Sequence, residues 1–459
     1  MHHMKRKGLQ GLTSQLKEHL IHQALERRTR RLDKEIELSL APAPAVTDFG
    51  RHPGSAEIPE RFYRFHLHPG FQKLRIIKEG GEKLGIANPY FRPHEGIAGR
   101  VTRIGERDLL NFSGYNYLGL SGLPEIGDAA KQAIDRYGTS VSASRLVSGE
   151  RPLHGELERA LADAYGVEDC VVFVSGHATN VTTIGYLFGP RDLIVHDALI
   201  HNSALQGIQL SGAKRMSFPH NDPAALDNLL AAQRGKFERV LIIIEGLYSM
   251  DGDFPDLPQF IDIKRRHHAF LMVDEAHSFG VLGPNGLGAR EHFGLDGTGV
   301  DIWMGTLSKA LASCGGYIAG ERALVEHLKF SAPGFLYSVG MPPPVAAAAL
   351  AALNCLRREP ERARRLQENS KTFLTALRDA GIDTGCSAGV AIVPAITGSS
   401  INAARLANSL YEKGVNVAPI LYPAVEEKAA RLRFFISSEH TADDLATAAR
   451  LLAAEAASL

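Results

Sequence analysis

Lys309 lies in Gly305-Thr-Leu-Ser-Lys-Ala-Leu-Ala-Ser-Cys-Gly-Gly316, 35 residues after the Asp274 of Val273-Asp-Glu-Ala-His277. A lysine amine can form an imine with an aldehyde, and a carboxylate can hold a protonated ring nitrogen. The hydroxyls of Thr306 and Ser308, beside the lysine, can donate to a phosphate. Together these groups meet the needs of pyridoxal 5'-phosphate (PLP), an aldehyde-bearing pyridine with a phosphate anchor. The apolar run Ala269-Phe-Leu-Met-Val273 suits a buried parallel strand and puts Asp274 at its C-terminal end, where open α/β sheets bind ligands. His277 is near enough along the chain to reach the cofactor's phenolic oxygen. Asp-Glu-Ala-His also matches a helicase motif, but the chain has no Gly-x-x-x-x-Gly-Lys-[Ser/Thr] phosphate loop to serve a nucleotide.

Other segments extend the pattern: Asn111-Phe-Ser-Gly-Tyr-Asn-Tyr-Leu-Gly-Leu120, Gly138-Thr-Ser-Val-Ser-Ala-Ser-Arg145, Ser148-Gly-Glu-Arg-Pro-Leu-His154 and Ser175-Gly-His-Ala-Thr-Asn180. Asp197-Ala-Leu-Ile-His-Asn-Ser203, His220-Asn-Asp222, Glu245-Gly-Leu-Tyr-Ser-Met-Asp-Gly252 and Arg431-Leu-Arg-Phe-Phe-Ile-Ser437 follow. Through these segments, from about Asn88 to the C-terminus, the chain resembles the α-oxoamine synthases of PLP fold type I. That family includes serine palmitoyltransferase, aminolevulinate synthase, amino-oxononanoate synthase and ketobutyrate ligase.

The strand Cys170-Val-Val-Phe-Val174 meets a Gly turn and a helix start, a geometry that aims backbone N–H groups at an anion. The resemblance implies that Gly176 and His177 supply those amides to the phosphate. It also implies that His201 stacks on the pyridine ring and that Ser249 lies near the phenolic oxygen. The other reading of His201 is a hydrogen-bonded histidine at a helix start, capped by Asn202 or Ser203. Arg433 sits in an apolar strand pattern where an unpaired charge is costly, so its guanidinium fork is the expected anchor for a substrate carboxylate. Arg431 reads as a solvated residue at the strand edge, and the resemblance implies that Asn116 assists Arg433.

The resemblance implies a decarboxylative condensation in which Lys309 is the base at the amino-acid Cα and an acyl thioester gives up its thiol. The amino acid is small, with serine ranked first and alanine or glycine next. The acyl group is medium or long, on coenzyme A or an acyl carrier protein. Homodimers with shared sites are implied as well. One segment departs from the family: Tyr337-Ser-Val-Gly-Met341 puts Gly340 where relatives place a hydroxyl that reaches the neighbouring subunit's phosphate. A backbone amide, water or Ser338 replaces that contact, or PLP is held more weakly. A PLP aminotransferase or lyase of the same fold would share Lys309 and Asp274, and a non-catalytic partner subunit would be expected to lack the lysine.

The elements that position these residues can be read from the apolar runs. Cys170–Val174, Asp192–Val195, Val240–Ile244, Phe270–Val273 and Ile302–Met304 alternate with helical patterns, which predicts an α/β fold with a mostly parallel sheet between helices. The expected divisions are a helical arm and linker over 1–46, an N-terminal segment over 47–107 that approaches the site, a large PLP-binding domain over 108–344 and a small C-terminal α+β domain over 345–459. In the arm, Leu12, Leu16 and Leu20 share a helix face ahead of the basic cluster Arg27-Arg-Thr-Arg-Arg31. It reads as a helix across a dimer or, alternatively, as a docking element for an acidic carrier protein.

With 51 basic and 51 acidic residues in 459, the chain has no overall pull toward nucleic acid or membrane. No apolar run is long enough to span a bilayer, and Met1-His-His-Met4 has no secretory apolar stretch. The cysteines, Cys170, Cys314, Cys355 and Cys386, are scattered without metal-ligand spacing. They read as buried or semi-buried thiols of a cytoplasmic protein, with no metal expected.

Overall fold

The computed structural model describes residues 58–458 together with Gln23 and Arg27, both of which are helical. The rest of the expected N-terminal arm and its linker lie outside the described residues. Contacts divide the chain into two units, Met1–Tyr90 and Phe91–Leu459. In the first unit, short turns at Glu60–Phe62 and Phe65–Leu67 precede helix α1 (Pro69–Lys83). His68 caps α1 by accepting the Gly70 N–H at Nδ1, 3.1 Å away, and Pro69 takes the first helical position, where no N–H partner is needed.

The second unit opens with the antiparallel hairpin β1 (Val101–Ile104) and β2 (Arg107–Asn111). The strands β3 (Asp169–Phe173), β4 (Leu193–Asp197), β5 (Lys214–Phe218), β6 (Val240–Glu245), β7 (Phe270–Asp274), β8 (Ile302–Thr306) and β9 (Gly316–Gly320) form the central sheet. Their order is β3-β9-β8-β7-β6-β4-β5. The run from β8 to β5 is parallel, while β9 is antiparallel to both β8 and β3. Each of the five apolar runs becomes a strand, because the sheet is covered on both sides. In β6, Val240, Ile242 and Ile244 enter one buried cluster and Leu241 and Ile243 another, as a strand with two buried faces requires.

Two helices start beside the C-terminal ends of these strands: α2 (Gly176–Leu187) after β3 and α3 (Asn202–Ser211) after β4. The Ala-rich pattern near Val345–Leu356 becomes α4 (Pro343–Arg358), which buries Ala346, Ala349, Leu353 and Leu356 along one stripe. Beyond it, β10 (Ile392–Ile396), β11 (Val415–Asn416), β12 (Ala418–Ile420) and β13 (Arg431–Phe435) complete the strands. β13 lies between β10 and β12 in an antiparallel sheet, and β11 pairs parallel with β2.

That central place corrects the reading of Arg431 as a solvated edge residue. Arg431 is 6% exposed, pairs with Asp251 at 2.5 Å and donates to the carbonyls of Met250 and Ala429. The thiols also differ from expectation, since Cys314 and Cys386 are exposed and only Cys170 and Cys355 are buried. Among the described residues no helix is long and apolar enough to cross a membrane.

Candidate active site

Parallel strands carry their C-terminal residues to one edge of the sheet, so Glu245 of β6, Asp274 of β7 and Thr306 of β8 arrive together. Glu245 and Asp274 are register partners across the β6–β7 pair. Above them opens a cavity of about 410 Å³, the solvent at its mouth included, lined by Lys309, Asp274, His277, His201, Gly176 and Thr306 among others. His177, Asn180, Ser203 and Glu245 also face it. Seven of the expected site residues therefore meet in one space.

Desolvation in the cavity lowers the Lys309 pKa from its ordinary 10.5 to about 8, against the pull of Asp274 and Glu245. Its ammonium stands 5.6 Å from the ring centroid of Tyr115. Asp274 is fixed at both oxygens, with Oδ2 accepting from Asn180 Nδ2 at 2.8 Å and Oδ1 from the Ala276 N–H at 2.9 Å. Asn180 also donates to Ser203 Oγ at 2.9 Å, which ties the start of α3 to the carboxylate. Glu245 accepts from the Ser249 N–H at 3.3 Å and leaves Oε1 buried with no partner among the described residues. Burial and then Asp274 push its pKa well above the ordinary carboxyl value, so the charged form of Glu245 is disfavoured.

His277 is buried with Nδ1 2.8 Å from Tyr117 Oη. Burial, Lys309 and Arg433 hold its pKa well below the ordinary value. His201 is the N-cap of α3, where Nδ1 lies 2.7 Å from Ser203 Oγ and accepts the Ser203 N–H at 3.3 Å. The helix-start bond is thus present while the ring lines the cavity.

The phosphate end of the proposed cofactor has a cradle without side chains. Ser175 caps α2 through the Ala178 N–H, and the amides of Gly176 and His177 have no partner within the helix. A Cβ on Gly176 would meet Thr306 Oγ1 at 2.9 Å, and one on Gly316 would meet the Gly176 Cα at 2.7 Å. Thr306 and Ser308 hydroxyls both donate to the Gly315 carbonyl, at 2.8 and 3.3 Å, which closes the loop around Lys309. An amine, a fixed carboxylate and a glycine-lined helix start in one cavity fit PLP.

Arg433, Ser249, Asn116 and Ser308 do not line the cavity. Arg433 nonetheless stands near it, because the Phe435 ring it packs against lies 6.3 Å, centroid to centroid, from the ring of the cavity-lining His277. Its Nη1 donates to the Ser249 carbonyl at 2.9 Å, and its guanidinium carbon lies 4.6 Å from the Phe435 ring centroid. Arg433 makes no ion pair among the described residues, unlike Arg431 two positions away, and its Nε is buried without a partner. Asn116 spends its amide on the loop, donating to the Ala98 carbonyl and accepting the Ser121 N–H. At Gly340 a Cβ would meet Arg145 Cγ at 2.9 Å, so the family's hydroxyl residue has no room, and the Gly340 N–H donates to the Ala143 carbonyl.

Asn180, Glu245, Tyr115 and Tyr117 had no assigned role from sequence, although each falls in one of the ordered segments quoted above.

The aminotransferase class I and II family model matches residues 107–452. The 8-amino-7-oxononanoate synthase of Symbiobacterium thermophilum is 42% identical over 339 residues, 74% of this chain and 86% of that protein. The chain belongs to the PLP-dependent α-oxoamine synthases. A 4-hydroxy-2,2'-bipyrrole-5-methanol synthase of Serratia sp. is 38% identical over 350 residues, 76% of this chain and 53% of that protein. Serine palmitoyltransferase of Sphingomonas wittichii superposes with a TM-score of 0.81 at 29% identity, covering 85% of this chain and 98% of that one. Another solved structure, of SPT with a PLP internal aldimine, gives 0.80 with the same identity and coverage. As a member of this family the chain is a fold type I transferase that uses PLP and condenses an amino acid with an acyl thioester. The aminotransferase and lyase readings are set aside with it.

Proposed function

We propose that this enzyme joins a small amino acid, serine first and alanine or glycine next, to a medium or long acyl thioester, releasing thiol and carbon dioxide and leaving an α-amino ketone. The observation that carries this reading is the pairing of a desolvated Lys309 with a second, uncompensated cation, Arg433, beside the same cavity. One group suits a base and the other an anchor for a carboxylate.

Bound in the cavity, PLP supplies an aldehyde for an amine and a ring that accepts the electron pair left at Cα. Asp274, held by Asn180 and the Ala276 amide, offers a fixed acceptor to a ring N–H. The Gly176 and His177 amides form the anion cradle, which Thr306 and Ser308 would join only by turning their hydroxyl protons away from the Gly315 carbonyl. His201 offers its ring as a flat wall. Tyr117 keeps its proton, because burial raises its pKa well above the ordinary value. If its hydroxyl donates to His277 Nδ1, the His277 proton sits on Nε2, available to a cofactor oxygen. Ser249, in this account, acts through its carbonyl on Arg433.

Lys309 Nζ, neutral above about pH 8, takes the Cα proton and later returns one. Arg433 grips the amino-acid carboxylate, with Asn116 shaping the loop beside it. The carboxylate departs as carbon dioxide only after the acyl group has joined, so Arg433 also fixes which bond at Cα stays aligned until then.

The structural likeness to serine palmitoyltransferase supports serine, and the sequence likeness to 8-amino-7-oxononanoate synthase keeps the other small amino acids in the comparison. A homodimer, an acyl donor on coenzyme A or an acyl carrier protein, a cytoplasmic setting and a domain division at 344/345 complete the proposal. Thiol release from acyl-coenzyme A and from acyl carrier protein, measured with serine, alanine and glycine in turn, tests the substrates. Release with a large amino acid and none with these three contradicts them.

A further inference from the structure

Outside the cavity, His220, Asp253 and Cys386 bring one ligand atom each within 4.8 Å of one another. His220 is held from behind, with Nδ1 2.9 Å from Oδ1 of the fully buried Asp197. Asp197 is itself locked by the Leu199 and Asn221 amides, both at 2.8 Å. In front, His220 Nε2 lies 2.8 Å from Asp253 Oδ2, which also accepts from Asn221 Nδ2 at 2.7 Å. The other Asp253 oxygen, Oδ1, is buried with no partner among the described residues, and Asn221 Oδ1 is in the same state. Cys386 is a free, exposed thiol at the rim.

A carboxylate behind an imidazole, an open carboxylate oxygen in front and a thiol at the solvent edge are the parts of a site for a borderline metal. We propose that His220, Asp253 and Cys386 form a three-ligand site for a zinc-type divalent cation, with water in the fourth position and entry past Cys386. Asp197 would set the imidazole tautomer that frees Nε2 as a ligand. The cation takes the place of a proton. Binding therefore displaces the imidazole and thiol protons, and affinity rises with pH. Asp253 closes the loop whose Ser249 carbonyl holds Arg433, and Cys386 comes from the segment before β10. The cation would thus tie the substrate-anchoring loop to the C-terminal part of the chain.

The test uses the PLP-loaded, full-length protein, treated with EDTA, dialysed and titrated with cobalt(II). The d–d bands are read at wavelengths beyond cofactor absorption, and zinc is measured by equilibrium dialysis. One equivalent bound, tightening as pH rises, with binding weakened at least about tenfold in Cys386→Ser and in Asp253→Asn, supports the site. Because Cys386 is exposed, its serine variant keeps the fold, which a melting curve checks. No saturable binding, or binding unchanged in Cys386→Ser as His2 and His3 would give, overturns it.

Discussion

Lys309 is enclosed where its charge is disfavoured, so its amine titrates near 8 rather than 10.5. A lysine reacts with an aldehyde only in its neutral form. Below about pH 8 this lysine is protonated, and above it is neutral while a solvated lysine remains charged to about 10.5. The rate at which PLP-free protein takes up PLP is therefore expected to rise with pH through about 8 and then level, as read from growth of the visible cofactor band. A rate that climbs only near pH 10 would place the lysine in water. Lys309→Ala should lose both that band and turnover. Arg433→Ala should raise the amino-acid KM by the equivalent of about 2–5 kcal/mol, because a bound carboxylate loses its buried partner. An unchanged KM would put the anchor elsewhere. At this scale the sequence was most legible where a residue's chemistry is rare, as for Lys309, Asp274 and Arg433. It was least legible for Asn180 and Glu245, whose places depend on which side chains face one another across helices and strands far apart in the chain.

The strands bring these residues together by direction alone. Five parallel strands end at one edge, so residues up to about a hundred positions apart share a rim. The apolar runs revealed β4, β6, β7 and β8, and β3 beside them, to within a few residues, because a run buried on both faces has little else it can be; β5, which begins with the exposed Lys214 and Arg215, was not among them. β9 escaped notice, since Gly316-Tyr-Ile-Ala-Gly320 is short and its first glycine closes the lysine segment. The reason for that glycine is structural. A Cβ at Gly316 would lie 2.5 Å from Thr179 Oγ1 and 2.7 Å from the Gly176 Cα, so β9 and the start of α2 can meet only without a side chain there. Gly316→Ala is expected to lower stability by about 1–3 kcal/mol and to weaken PLP binding, as measured by melting temperature and by cofactor titration. Equal stability and affinity would mean that α2 has freedom to retreat. The place of β13 was also hidden, because a strand's neighbours are set by pairing, and that centre is why Arg431 is buried.

For the whole molecule, the exposed apolar residues Leu146, Val147, Tyr337 and Val339 stand on two segments joined by the Gly340 N–H bond to Ala143. Val147 is 80% and Tyr337 88% exposed, which suits a surface that a second copy covers. Light scattering should give twice the chain mass, and Val147→Asp should shift the equilibrium toward one chain; a wild-type monomer would remove the proposed dimer. The family was legible from many ordered segments, whereas substrate choice was not, since a small amino acid is distinguished by one or two contacts that no segment names. In the proposed reaction an amino acid anchored at Arg433 is joined to an acyl group by Lys309 and PLP. The most direct measurement follows free thiol and carbon dioxide together when PLP-loaded protein meets serine and acyl-coenzyme A, then repeats the assay with alanine, glycine and an acyl carrier protein. Equal amounts of thiol and carbon dioxide, dependent on both substrates and absent in Lys309→Ala, are predicted. Transfer of the amino group without thiol from any acyl donor would contradict the account.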